Sequence, residues 1–124
     1  MRIALSAGAL LLCASAALAQ TESDRRDYAR RTCPMIVRQA TLSPATFREI
    51  TGTIRAGVAG AFDVVLRYEA ANRVSVVVRG DATCHYGAAG ELPRTIDLDN
   101  GGEIGADQIE PLWQRAVDEA RAGK

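Results

Sequence analysis

The chain has 124 residues, with 15 basic (Lys and Arg) and 15 acidic (Asp and Glu) side chains, so its formal net charge near pH 7 is zero. This length suits one domain with a modest hydrophobic core. The balanced charge argues against a protein that binds nucleic acid or another polyanion through a generally basic surface.

The first nineteen residues are typical of a secretory signal peptide. Arg2 precedes the apolar run Ile3–Leu18, and Ala17-Leu18-Ala19 matches the A-x-A cleavage pattern. The run is shorter than the roughly 20 apolar residues that a transmembrane helix needs. We therefore predict a signal peptide over residues 1–19 and one mature domain over residues 20–124. The mature protein is expected in the periplasm or outside the cell, and not embedded in a membrane.

Two cysteines, Cys33 and Cys84, remain after the predicted cleavage, because Cys13 lies in the leader. An exported protein enters a compartment where thiols tend to pair, and two cysteines allow one connectivity. Closing a loop of roughly 50 residues would stabilise the fold by about 4 kcal/mol in the chain-entropy description. There is no Cys-x-x-Cys spacing to indicate a redox site.

The first predicted element is a helix over Thr21–Ala40, with Ser23 and Asp24 as capping residues. Pro34 lacks the N–H that a helix interior needs, so we expect either a kink or a fresh helical turn there. Four arginines on this segment alternate with acidic residues, and we interpret them as a solvated helix face, with an anionic partner site as the alternative. They are Arg25, Arg26, Arg30 and Arg31.

The middle of the chain predicts an antiparallel sheet. A strand over Thr46–Arg55 precedes one that begins at Phe62 with strict alternation of apolar and polar residues, and Ala70–Arg73 is the expected hairpin connection. The next strand, Val74–Tyr86, points Val74, Val76, Val78 and Cys84 inward. Its small inward residues Gly80 and Ala82 leave room for a helix that carries Cys33.

A short strand at Thr95–Leu98 and an amphipathic helix complete the predicted elements. The helix begins near Asp107, or at Glu110 because Pro111 fits only a first turn, and it ends at Gly123. Its apolar stripe comprises Ile109, Leu112, Trp113, Ala116, Val117 and Ala120. The predicted fold class is α+β, with an N-terminal kinked helix, an antiparallel sheet of three to four strands, a C-terminal amphipathic helix and one disulfide.

Candidate chemistry is sparse. His85 is the single histidine and follows Cys84, but neighbouring strand residues point to opposite faces, so they cannot form a catalytic dyad. Asp97 and Asp99 begin a segment that partly matches a calcium loop. The segment lacks two ligands, because Gly101 and Gln108 stand where oxygen donors are needed. We predict no catalytic residue, no cofactor and no metal site, with Asp97 and Asp99 as the candidates if a cation binds.

Several short motifs resemble those of a group of small exported bacterial proteins without an assigned activity. They are Leu42–Phe47 after the early Cys33, the hairpin motif Tyr68–Asn72, and the strand motif Gly80–Tyr86 that contains Cys84. This chain departs from the pattern where Arg73-Val74-Ser75 replace an expected glycine. The resemblance implies a sheet and a disulfide, and it implies no reaction.

Our leading hypothesis is a non-catalytic exported protein that binds a protein or envelope partner through exposed strand side chains such as Val65, Val77 and Arg79. One alternative is a small hydrolase or enzyme subunit that uses His85 or the carboxylates Asp97 and Asp99. The other alternative is a module that binds a divalent cation weakly at those two carboxylates.

Overall fold

The structure is a computed structural model that describes residues 22–123. The predicted signal peptide, residues 1–19, and the first predicted helical residue, Thr21, lie outside the described residues. The elements in chain order are helix α1 (residues 22–40), a 3-10 turn (Pro44–Thr46), strands β1 (Arg48–Ala56), β2 (Phe62–Ala71), β3 (Val77–Tyr86), β4 (Thr95–Leu98) and β5 (Glu103–Ile104), and helix α2 (Ala106–Ala122).

The strands form one antiparallel sheet in the order β1-β2-β3-β4-β5, so each strand pairs with its neighbours in sequence. The predicted α+β class is confirmed. Over residues 22–123 the sheet has five strands, where three to four were predicted. The missed strand is β5, because two residues are too few to show the alternation that identifies a strand.

Both helices pack on one face of the sheet, which we call the inner face. Alternate residues of β2 and β3 point there and are buried with one stripe of α1 and one of α2. The T-shaped contact between Tyr28 and Trp113, with ring centroids 6.4 Å apart, joins the two helices. The core comprises Ala29, Cys33, Ile36, Val37, Phe62, Val64, Leu66, Ala82, Cys84, Tyr86, Ile96, Ile104, Ile109 and Leu112.

Helix α1 is continuous through Pro34, so the proline does not divide it into two helices. Pro34 is buried, and its ring adds apolar contact where the chain loses one helical hydrogen bond. Ser23 and Asp24 lie inside the helix, so their predicted capping role is wrong. The apolar spacing that predicted the helix is confirmed by the burial of Cys33 and Ile36.

Helix α2 begins earlier than predicted. Its first residue is Ala106, and Gly105 is the N-cap, whose backbone N–H donates to the side-chain oxygen of Gln108 at 3.4 Å. Pro111 therefore lies inside the helix, in its second turn. Because it has no N–H, the helix loses one backbone hydrogen bond to the carbonyl of Asp107, a residue that is exposed. The predicted start at Asp107 or Glu110 is wrong by one or four residues.

The connection between β2 and β3 also lies further along than predicted. Ala70 and Ala71 pair with Val78 and Val77 in the sheet, so the connection comprises residues 72–76 rather than Ala70–Arg73. Val74 and Val76, predicted as inward strand residues, lie in this loop and are exposed. The side chain of Asn72 closes the loop, and alternation alone does not reveal such a closure.

Candidate functional site

The predicted disulfide between Cys33 of α1 and Cys84 of β3 is confirmed. The two Cα atoms are 6.3 Å apart, and both residues are fully buried. Because each sulfur is bonded to the other, neither is available as a nucleophile or a metal ligand. The bond fixes α1 against the middle of the sheet, which makes it a structural element rather than a reactive one.

The space predicted over Gly80 is filled by the side chain of Tyr68 and not by the helix that carries Cys33. Tyr68 is its direct neighbour on β2, and a Cβ atom on Gly80 would lie 2.6 Å from Cζ of Tyr68. The tyrosine ring therefore covers the glycine, and Phe47 stacks on that ring with centroids 5.2 Å apart. Gly80 makes room for an aromatic side chain, whereas Ala82 lies in the core as predicted.

His85 lies on the opposite, outer face of the sheet, between two carboxylates. Its Nδ1 is 2.8 Å from Oδ1 of Asp63, and its Nε2 is 2.7 Å from Oδ2 of Asp97. Oδ2 of Asp63 also accepts a hydrogen bond from Arg55 at 2.9 Å. Ionised carboxylates only accept hydrogen bonds, so both contacts of the imidazole are hydrogen bonds at once only when it carries two protons.

The electrostatics of the charged row formed by Asp63, His85 and Asp97 favour the protonated imidazole. Partial burial lowers the pKa of His85, but the hydrogen bonds and charges of Asp97 and Asp63 outweigh it and leave the pKa raised. Burial raises the pKa of Asp63, but Arg55 and His85 outweigh it and leave that pKa lowered. Both ring nitrogens are thus engaged by carboxylates on the outer face of the sheet.

The two carboxylates predicted as candidate cation ligands are not brought together. Asp97 contacts His85, whereas Asp99 lies in the turn after β4, where its backbone N–H donates to the carbonyl of Asp81 at 3.0 Å. Among residues 22–123, no group of three or more His, Cys, Asp and Glu side chains could hold a metal ion. The segment from Asp97 consists of the end of β4 and the turn that follows it.

The rest of the outer face is paired charge. Arg67 donates to Asp81 at 3.1 Å, and Glu69 accepts from Arg48 at 2.8 Å. The Arg48 hydrogen bond is the main cause that lowers the pKa of Glu69. Val65, which we predicted as an exposed contact residue, is partly buried in the middle of this face. Away from the hairpin end, the outer face therefore offers charge-compensated side chains rather than an apolar surface.

Arg25 has a role that the sequence did not predict. Its guanidinium donates to the backbone carbonyls of Gly87 at 2.6 Å, Gly90 at 2.9 Å and Gly60 at 3.4 Å, and it lies 5.0 Å from the ring centroid of Phe62. These contacts fasten α1 to two loops at one end of the sheet. Arg25 is thus structural, and only the fold brings its three carbonyl partners together.

Exposed apolar side chains cluster at the other end of the sheet. Seven large apolar residues are exposed within residues 22–123, and five of them, with exposed fractions from 45% to 75%, lie at this end, four on the β2–β3 hairpin and Leu42 just after α1. We call these five the hairpin surface: Leu42, Val74, Val76, Val77 and Val78. Such a concentration marks an interaction site more often than scattered single residues do.

The hairpin formed by β2 and β3 projects beyond its neighbours in the sheet. Its pairing continues to Ala71 and Val77, whereas β1 stops pairing at Glu69 and β4 pairs with β3 only from Ala82 onward. Arg79 and Val77, both named in our binding hypothesis, are exposed on this projection. Val74 and Val76 to Val78 therefore lie beyond the last pairs of β1 and β4, whereas Leu42 follows α1 at the base of the projection.

The loop at the tip is ordered by its own hydrogen bonds. Oδ1 of Asn72 accepts from the N–H groups of Val74 and Val76 at 3.0 and 3.1 Å, and the N–H of Ser75 donates to the carbonyl of Asn72 at 3.1 Å. Ser75 has a φ of 61°, a conformation that favours glycine. The loop is therefore preformed, and it accepts local strain to present Val74 and Val76.

A shallow groove of about 250 Å³ lies beside the hairpin, between the end of α1 and the turn after β4. Its walls include Leu42, Val78 and the ring of Tyr68, and Asp99 lies at its edge. Burial, and then the charges of Asp99 and Asp81, raise the pKa of Tyr68, so its phenol stays protonated. The groove adds apolar walls to one side of the hairpin surface.

Comparison with protein-family models, with curated proteins and with solved structures gives no match for this chain. Within residues 22–123, neither helix combines the length and the apolar character needed to cross a membrane. Any functional conclusion must therefore rest on the geometry of the sites described above.

Proposed function

We propose that this chain is an exported, non-catalytic protein that acts by binding a partner through the hairpin surface. The observation that carries the proposal is the clustering of five of the seven exposed large apolar side chains at one projecting end. Leaving them in water is unfavourable, since burying each would stabilise a complex by up to about 1.5 to 3 kcal/mol.

Two further features support a binding role. The tip is held by the hydrogen bonds of Asn72, so little conformational entropy would be lost when a partner covers it. The strained φ of Ser75 is retained at the same loop. Strain of this kind persists where the surrounding structure imposes it, and it often accompanies a functional surface.

Export is supported by the leader-like sequence up to Ala19 and by the Cys33–Cys84 disulfide, which suits an oxidising compartment. The resemblance to small exported bacterial proteins agrees with this location. The mass of the protein isolated from its native cells would test the processing, and we expect a mature chain that begins at Gln20.

Site-specific photo-crosslinking tests the binding role. A photoreactive amino acid at Val74 should give a discrete adduct in native cells, and the adduct should be lost when Val76 is replaced by serine. The matched control is the same photoreactive residue at Val58, which is 87% exposed in the turn between β1 and β2 and should give no adduct. Equal labelling from both positions would contradict the proposal.

A further inference from the structure

We propose that the partner of the hairpin surface is the surface of an anionic lipid bilayer, into which the hairpin tip inserts. This inference rests on the proposed function and specifies its partner. It is carried by three properties of the tip: the distribution of its valines, the placement of its arginines, and its projection from the sheet.

The tip is apolar on both faces. Val77 and Val78 are neighbours on β3, so their side chains point to opposite faces, and both are about half exposed. Val74, at the end of the loop, is 75% exposed. A protein that docks on one sheet face would cover Val77 or Val78 but not both. A lipid interface surrounds an inserted tip and covers all three.

The charged residues of the tip are basic. The segment from Asn72 to Arg79 contains two arginines, one on each side of the valines, and no acidic residue. Arg79 lies 3.7 Å from Glu69, which Arg48 also contacts, so two arginines share one glutamate beside the tip. Asp99 at the edge of the groove offsets only part of the excess.

Arginines in these positions match the layered chemistry of a bilayer surface. The aliphatic part of an arginine side chain can lie along apolar groups while its guanidinium reaches outward to phosphate. With Val74 inserted, Arg79, which pairs with Glu69 nearer the sheet, would stand at the level of the headgroups. Arg73 lies beside Val74 at the tip, so its long side chain would reach back to the phosphates. Within the described residues, no hydrogen bond or ion pair engages the side chain of Arg73, so its charge is available to lipid phosphate.

The projection is long enough for shallow insertion. At a rise of about 3.3 Å per residue, two or three residues of a hairpin span the roughly 5 to 10 Å depth of the headgroup boundary. The residues available are Val74 to Val78, none of which pairs with β1 or β4. The ordered loop allows insertion without prior folding of the tip.

Vesicle binding tests this inference. The full mature chain is mixed with vesicles of phosphatidylcholine and phosphatidylglycerol in a 3:1 ratio, and the bound fraction is measured by sedimentation. We expect binding to these vesicles and at least tenfold weaker binding to phosphatidylcholine alone. Replacing both Val74 and Val76 by serine should weaken binding about tenfold, whereas Val58→Ser should leave it unchanged.

The charge requirement has its own matched pair of variants. Arg73→Gln should weaken binding to the anionic vesicles about fivefold, since a basic residue near such a surface contributes about 1 kcal/mol. Arg121→Gln, a change at another exposed position, on α2, should have no effect. These substitutions are at exposed positions, so circular dichroism should show that every variant retains the fold.

The two proposals can fail separately. If the vesicles do not bind but the Val74 photo-crosslink joins a protein, the lipid inference is overturned and the binding function stands. If vesicles bind equally well to the wild type and to the doubly serine-substituted tip, the lipid inference is also overturned. If neither vesicles nor the photo-crosslink reports binding, both proposals fail. Adducts between the Val74 probe and lipid would support both.

Discussion

Removal of the disulfide should lower the free energy of unfolding by about 4 kcal/mol. Cys33 and Cys84 are 51 residues apart, and closing a loop of that size in the unfolded chain costs about 14 cal/mol/K of entropy. At 25 °C this corresponds to about 4 kcal/mol. Because domains of this size are stable by about 5 to 15 kcal/mol, the bond supplies a large share of the total.

The assay is urea unfolding followed by circular dichroism, on the oxidised protein, on the same protein reduced, and on the Cys33→Ala/Cys84→Ala variant. With a slope of about 1 to 2 kcal/mol per molar urea, the midpoint should fall by about 2 to 4 M on reduction. The urea midpoint of the alanine variant should fall further, because both sulfurs are buried and their removal leaves cavities. A loss below about 1 kcal/mol on reduction would refute the loop-closure reasoning.

Three further predictions concern the strained loop, the charged row and the covered glycine. Ser75→Gly should raise the free energy of unfolding by about 0.5 to 1 kcal/mol in urea titrations, and Ser75→Ala should not. His85 has a raised pKa, so its contribution is complete below pH 6.5 and is lost as pH rises through the raised value. Between pH 5 and 9 the free energy of unfolding of the wild type should therefore fall relative to that of His85→Gln. The fall should be under about 1 kcal/mol, because solvent screens the contacts of His85 with the two carboxylates. A difference between the two proteins that stays constant with pH would contradict this. Gly80→Val should lower the free energy of unfolding by about 2 kcal/mol or more, and by much less when Tyr68 is already replaced by alanine. An equal loss in both backgrounds would show that the tyrosine ring does not cover Gly80.

The sequence predicted those parts of the fold that repeat. The alternation from Phe62 identified β2, and the inward position of Cys84 led to the disulfide, because a two-residue period fixes which face each side chain occupies. Boundaries were less predictable. The hairpin loop lies further along the chain than predicted because the side chain of Asn72 accepts two backbone hydrogen bonds within it. Helix α2 begins earlier than predicted, where the side chain of Gln108 accepts from the N–H of Gly105.

The candidate site was only partly predictable. Val77 and Arg79 were expected to be exposed, and they are, but Val74 was assigned to the inner face because it continues the alternation of β3. The row of Asp63, His85 and Asp97 comes from three strands whose pairing no local pattern reveals. In each case the missing information was the cross-strand register, which depends on the loop that joins the strands.

The most direct test of the central claim is whether the hairpin surface is covered in the native setting. Carbene footprinting can compare labelling of the purified protein with labelling in intact cells, residue by residue. We predict that labelling of Val74 to Val78 falls severalfold in cells, while Val58, more exposed in the free protein, is labelled equally in both. Equal labelling of Val74 to Val78 in both settings would contradict the claim that this surface binds a partner.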